Sequence, residues 1–281
     1  MGLKNYIKRA YKFIIKGEQP RVTKVEVFEK TSSEMMQDKV VLITGGGSGL
    51  GYYMTRKFIL EGAKVIITGR NEEKLKKAQE ELGSKVSYYV LDVCDVKASK
   101  EVMADIYREY KKVDCLINNA GISMHEGHFL NVSEEGFDKQ FATNLKGAYF
   151  LSQHYINAYK EANQESGQII FITSERGSQC DDIPYGLTKV AVNSLIEGLA
   201  RRFYKDGIRV NGIAPGVTAS EMTNVNKDGN LYCHYNFSER YFVPEEVAEA
   251  VMFLASDNSK CVNGEIIHCD AGDHLNPWFK K

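Results

Sequence analysis

The chain has 281 residues, 43% of them hydrophobic and 26% charged, with a formal net charge of −1 at pH 7. That is ordinary globular composition, and the near-neutral balance excludes the broad basic surface that nucleic-acid binding needs. No run of about 20 apolar residues is present, which excludes a membrane-spanning helix.

The first 38 residues stand apart from the rest. Leu3, Tyr6, Ile7, Ala10, Phe13 and Ile14 recur at helical spacing, with Lys4, Lys8, Lys12 and Lys16 on the opposite side. This predicts a short basic amphipathic helix. It can lie on an anionic membrane surface through residues 1–16, or pack as an arm on its own protein or on a neighbouring subunit. Lys8, Arg9 and Lys12 interrupt the apolar residues, so no secretory signal is read here. Val22 to Phe28 reads as extended. The six cysteines, Cys94, Cys115, Cys180, Cys233, Cys261 and Cys269, form no C-x-x-C, and reduced thiols in a cytoplasmic protein are expected.

From Lys39 onward, apolar β-rich runs alternate with helical segments. The runs are Val40–Thr44, Lys64–Thr68, Val86–Leu91, Val113–Ile117, Gln168–Thr173, Ile208–Ile213 and Glu265–Cys269. Helices are predicted near 50–61, 71–82, 96–111, 134–164, 185–205 and 244–255. Continuous apolar strands are those buried on both faces, and strand–helix alternation implies right-handed crossovers. The expected fold is therefore α/β: a doubly wound, parallel, seven-stranded Rossmann-type sheet with helices on both faces. With no composition break after residue 38, residues 39–281 read as a single dinucleotide-binding domain.

The first strand runs into Thr44-Gly45-Gly46-Gly47-Ser48-Gly49-Leu50-Gly51, followed by a helix. Glycines in that setting let the backbone approach a pyrophosphate, and the helix offers it free N–H groups. Strand two ends at Thr68-Gly69-Arg70, without the carboxylate that would take the ribose hydroxyls of NAD. Arg70 can face a 2′-phosphate, so NADP is favoured, with NAD as the alternative. Tyr185 and Lys189 are four residues apart at the start of a long helical pattern and so share a face. A nearby cation favours a phenolate, which would suit a tyrosine to acid/base work.

Together these features resemble the short-chain dehydrogenase/reductase family over roughly residues 39–273. The glycine run fits its T-G-x-x-x-G-x-G pattern, Asp92-Val93 resembles its adenine-contacting pair, and Asn118-Asn119-Ala120-Gly121 matches N-N-A-G. Asn144, Ser174, Tyr185 and Lys189 match its catalytic set, and Pro215-Gly216 follows strand six. The resemblance implies an oxidoreductase that moves hydride between a nicotinamide and a carbonyl or secondary alcohol. Tyr185 would be the acid/base, Ser174 would bond the reacting oxygen, and Lys189 would hold the ribose and lower the tyrosine pKa. Asn144 would anchor a water beyond Lys189. Gly45, Ser48, Gly49, Leu50, Gly51, Arg70, Asp92, Val93, Asn118, Ala120, Gly121, Tyr185, Lys189, Pro215, Gly216, Thr218 and Ser220 would contact the cofactor. A homodimer or homotetramer is also implied.

Two features bear on substrate. Ser174 lies eleven residues before Tyr185, a loop about two shorter than the family's usual one. The segment Val217 to Val243, which would cover the substrate, is polar through Asn224, Asn226, Tyr232, His234, Tyr235, Asn236 and Arg240. It suits a hydroxylated substrate such as a sugar derivative, or is simply a surface loop. A 3-ketoacyl-thioester reductase is an alternative function, and a non-catalytic NADP-binding scaffold is another. His125 and His128 lack further ligands for a metal, so none is expected.

Overall fold

The computed structural model describes residues 22–24 and 34–275. The amphipathic helix expected within residues 1–16 lies outside the described residues, as does most of the extended stretch after it. A seven-stranded parallel sheet has the order β3-β2-β1-β4-β5-β6-β7. The strands are β1 (Val40–Thr44), β2 (Lys64–Gly69), β3 (Val86–Val90), β4 (Cys115–Asn118), β5 (Gly167–Ile172), β6 (Ile208–Pro215) and β7 (Ile266–Cys269). The helices are α1 (Gly49–Leu60), α2 (Glu72–Leu82), α3 (Val96–Tyr110), α4 (Glu134–Gln140), α5 (Ala148–Glu161), α6 (Pro184–Phe203) and α7 (Pro244–Ala255).

The strand side chains alternate between two cores, as a period of two requires. Val41, Ile43, Val65 and Ile67 face α1, α2 and α7 through Met54, Phe58, Leu75 and Val251. Val40, Leu42, Ile66 and Leu116 face α3, α5 and α6 through Ile106, Leu151, Tyr155 and Ile196. β1 pairs with β2 on one side (Val41 opposite Val65) and with β4 on the other (Val41 opposite Cys115). The strand order therefore reverses between β1 and β4. A ligand crevice opens at such a point, beyond the carboxyl ends of the strands.

Helix starts follow local chemistry. Asn71 and Asp95 accept side-chain caps from Lys74 N–H and Ala98 N–H, both at 2.9 Å. Pro184 and Pro244 open α6 and α7, where a missing N–H costs nothing. One expected helix differs: 134–164 is not continuous. A π-helical turn, Phe141–Gly147, separates α4 from α5. Such turns widen the backbone and are frequent at functional sites; this one carries Asn144.

Among the described residues, no helix is long and apolar enough to cross a membrane. The described piece of the arm lies on the body of the protein. Thr23 N–H donates to Asn230 Oδ1 at 3.1 Å, and Leu231 N–H donates to Thr23 O at 3.1 Å.

Candidate active site

The glycine turn joins β1 to α1 at the strand-order reversal. Gly45 and Gly49 take positive φ, +66° and +52°, which favours glycine. Gly51 is required by proximity: a Cβ there would sit 2.1 Å from Gly45 O. Ser48 occupies the cap position of α1 but makes no side-chain capping bond, so its hydroxyl and the helix N–H groups face the turn unspent. Leu50 is partly buried against the core and anchors the turn. Asn119 braces it from β4, with its side-chain amide donating to Thr44 O at 2.8 Å. The N–H groups of Asn119 and Ala120 both donate to Thr44 Oγ1 at 2.9 Å. These bracing roles of Asn119 and Thr44 were not read from the sequence, although Asn119 lies inside the N-N-A-G run.

Arg70 follows β2 and is exposed, while Glu72 and Glu73 lie in the first turn of α2. Carboxylates there favour the helix dipole, which leaves Arg70 as the charged side chain at the strand end. Asp92 is exposed with its carboxylate accepting from Cys94 N–H at 2.9 Å, and Val93 packs against Gly147. Asn118 points inward, donating to Ser152 Oγ at 2.9 Å. Its amide oxygen is buried without a hydrogen-bond partner.

The residues expected to be catalytic gather from four places in the fold. Ser174 follows β5, Tyr185 and Lys189 lie in the first turns of α6, Asn144 lies in the π turn, and Gly121 follows β4. Lys189 is buried; its ammonium donates to Ile172 O at 2.9 Å. Burial lowers its pKa from the usual 10.5 to about 8. Gly121 lies between the two: a Cβ on it would be 3.4 Å from Asn144 Oδ1 and 3.7 Å from Lys189 Nζ. Asn144 bonds both backbone groups of Ile122, accepting its N–H at 2.8 Å and donating to its C=O at 2.9 Å. Asn144 thus ties its turn to the β4 loop, not to its own helix, and it also reaches Thr188 Oγ1 at 3.2 Å.

Tyr185 keeps an open edge, yet the surrounding protein desolvates its phenol and raises the pKa. A hydrogen bond with Ser174 and the Arg176 charge oppose that rise, and Glu175 adds to it. The Lys189 ammonium lies over the tyrosine ring, 5.6 Å from its centroid. The phenol is therefore not simply made acidic by the neighbouring amine. Burial dominates, and the opposing groups are Ser174 and Arg176.

Pro215 ends β6, and Gly216 N–H donates to Cys269 O at 3.0 Å. Thr218 donates to Gly216 O at 2.9 Å, and Ser220 N–H donates to Thr223 Oγ1 at 3.0 Å. The segment that follows is folded on itself. Ala219, Leu231 and Val243 form a small core of their own. Two of its polar side chains serve that fold. Asn236 donates to Arg240 O at 2.5 Å, and Arg240 forks onto Glu246 at 2.7 and 2.8 Å. They are spent internally and not presented to a hydroxylated substrate. His128 accepts from Leu130 N–H at 3.2 Å as a local cap. Among the described residues, no group of three or more His, Cys, Asp or Glu could hold a metal.

Residues 45–274 match a family model described as enoyl-(acyl carrier protein) reductase. A 3-oxoacyl-[acyl-carrier-protein] reductase of Thermotoga maritima is 34% identical over 244 residues, covering 84% of this chain and 98% of that protein. A 3alpha-hydroxysteroid dehydrogenase of Mediterraneibacter gnavus is 34% identical over 247 residues, covering 84% and 97%. A crystal structure of a 3-ketoacyl-(acyl-carrier-protein) reductase from Brucella melitensis, complexed with NADH, superposes with a TM-score of 0.77 at 25% identity. That match covers 85% of this chain and all of the other. The sheet order, the glycine turn at its reversal and these relatives agree: the chain belongs to the short-chain dehydrogenase/reductase family of NAD(P)-dependent carbonyl–alcohol oxidoreductases.

Proposed function

We propose that the protein is an NADP-preferring reductase or dehydrogenase, with Tyr185 as acid/base. The observation that carries this reading is the convergence of Ser174, Tyr185, Lys189 and Asn144 beside the glycine turn. The residues of the turn fit a dinucleotide. Gly51 leaves room where a Cβ would strike backbone, Ser48 holds an uncapped hydroxyl, and Arg70 stands exposed where a 2′-phosphate would lie. When bound, the nicotinamide supplies the hydride or receives it.

The chain's own residues control the proton. In reduction, Tyr185 gives its phenolic proton to the carbonyl oxygen, while Ser174 bonds the same oxygen and stabilises its developing charge. Lys189 would hold the ribose hydroxyls, and Asn144 keeps the β4 loop in register beside it. Asp92, Val93, Ala120, Gly121, Pro215, Gly216, Thr218 and Ser220 would complete the cofactor cleft. Exposed Tyr149 on α5 and Leu187 and Val190 on α6 favour a homodimer or homotetramer over a monomer. The absence of a long apolar helix among the described residues is compatible with a cytoplasmic enzyme, the location we favour.

The similarity to a 3-oxoacyl-[acyl-carrier-protein] reductase keeps a thioester substrate in view. Docking an acidic carrier would call for free cations at the cleft. Lys74 pairs with Glu221, Lys227 with Glu245 and Arg240 with Glu246, which favours a small free substrate. The test is a panel of ketones, sugars, alcohols and an acetoacetyl thioester, followed by nicotinamide absorbance with both cofactors. Faster turnover of a small carbonyl with NADPH than with NADH is expected. Preference for NADH would overturn the cofactor assignment, and turnover of the thioester alone would overturn the substrate class.

A further inference from the structure

The Asn144 amide and the Tyr185 backbone meet on one hydroxyl. Thr188, the residue before Lys189 on α6, is buried, as is Asn144. Asn144 Nδ2 donates to Thr188 Oγ1 at 3.2 Å. Thr188 Oγ1 in turn donates to Tyr185 O at 2.6 Å.

The partners fix where each proton goes. An amide nitrogen only donates, so Thr188 accepts from Asn144. A carbonyl oxygen only accepts, so the Thr188 proton lies toward Tyr185 O. The Asn144 amide is then fully used. Its Oδ1 accepts Ile122 N–H at 2.8 Å, and its Nδ2 donates one proton to Ile122 O at 2.9 Å and the other to Thr188. The reverse orientation of the amide would set an N–H against Ile122 N–H, so the network also decides which end is which.

A helical threonine commonly bonds the carbonyl three or four residues back. What sets Thr188 apart is the second bond, from a side chain 44 residues away in the chain. Three segments therefore meet at this hydroxyl: the loop after β4 at Ile122, the π turn at Asn144 and the first turn of α6 at Tyr185. A buried network with every member paired holds one arrangement, because any other leaves a donor without a partner.

We propose that Thr188 is a positioning residue for the reaction: its hydroxyl sets the first turn of α6, and with it Tyr185 and Lys189, against Asn144 and the loop after β4. This rests on the reading of Tyr185 as acid/base. Thr188 is buried and acts through Asn144 and Tyr185, not on the substrate. Rates are steep in such placement, since an error of about 1 Å in a reacting group can cost about 10²-fold. Losing one fastener while the others stay should cost less.

The test compares Thr188→Val, which keeps the shape and removes the hydroxyl, with Thr188→Ser, which keeps the hydroxyl. Each is assayed well below its melting temperature, with the best carbonyl substrate from the panel. The single-turnover rate is read by nicotinamide absorbance, beside KM and NADPH affinity. Thr188→Val should lose roughly tenfold in single-turnover rate, with KM and NADPH affinity within about twofold of wild type. Thr188→Ser should recover most of that rate although it lacks the methyl group. A merely structural hydroxyl would lower the melting temperature of Thr188→Val and leave the rate of the folded enzyme unchanged. That result overturns the proposal, and so does an equal loss in Thr188→Ser and Thr188→Val. If Thr188→Val does not fold, Thr188→Cys, whose thiol is only a weak donor and acceptor, takes its place against Thr188→Ser with the same expectations. Near-normal turnover in Tyr185→Phe would instead overturn the reading of Tyr185. A wild-type rate in Thr188→Val beside an impaired Tyr185→Phe would overturn the role of Thr188 alone.

Discussion

Lys189 is held where a charge is expensive. Its folded pKa is about 8 against 10.5 for the free side chain, and burial is the cause. Between those values the unfolded chain binds more protons than the folded one, so this group makes stability rise with pH through that window. Below about pH 8 the full penalty is present. Lys189→Met removes the charge and gives up one hydrogen bond to Ile172 O. Its melting temperature at pH 7 should rise by roughly 2–6 °C, for a net gain of roughly 1–2 kcal/mol, while turnover is lost. Calorimetry at pH 7 and pH 9.5 checks both parts, because the gain should shrink at the higher pH. A lower melting temperature at pH 7 would mean that the Ile172 bond outweighs the buried charge. Gly51 offers a second single-residue test. Its added Cβ in Gly51→Ala meets Gly45 O, so the turn must open. Nucleotide affinity by titration calorimetry should fall at least about tenfold with the core intact.

Among the elements, the 217–243 segment is bonded to Thr23 of the arm. Leu231 belongs to the small core of the 217–243 segment, and its N–H is bonded to Thr23 O. Removing residues 1–24 takes away that acceptor. Amide exchange at Leu231 should speed up severalfold, while the amides of β1 and β4 stay protected. Unchanged exchange at Leu231 would show that the arm does not brace the segment. The elements also show which parts of the molecule the sequence made legible. β1 and α7 agree with their expected bounds, because buried strands and amphipathic helices carry their periods openly. The glycine turn and the Tyr185–Lys189 spacing were legible for the same reason, being local patterns on regular elements. The π turn was not: residues 134–164 keep an unbroken helical pattern, whereas the contact Asn144 makes from that turn, to Ile122, lies 22 residues away in the chain. The Asn144–Thr188 bond was hidden because it joins elements 44 residues apart in the chain. The polar residues of the covering segment suggested a substrate surface, yet Asn236 and Arg240 turned out to satisfy backbone and carboxylate partners within the segment.

Over the whole molecule, two apolar cores clamp the sheet and leave its carboxyl-end crevice to the chemistry. The glycine turn and the proposed reactive cluster are held by different strands, β1 on one side and β4 and β5 on the other. Their separation is fixed by sheet pairing and by the Asn119–Thr44 brace, and not by any flexible connection. Cofactor binding and proton control should therefore be separable by mutation. The most direct measurement compares wild type and Tyr185→Phe with the best carbonyl substrate from the panel, reading turnover by nicotinamide absorbance and NADPH affinity by calorimetry. Turnover should fall by roughly 10²-fold or more, while affinity for NADPH stays within about twofold. Turnover near that of wild type, with the cofactor still bound, would contradict the account.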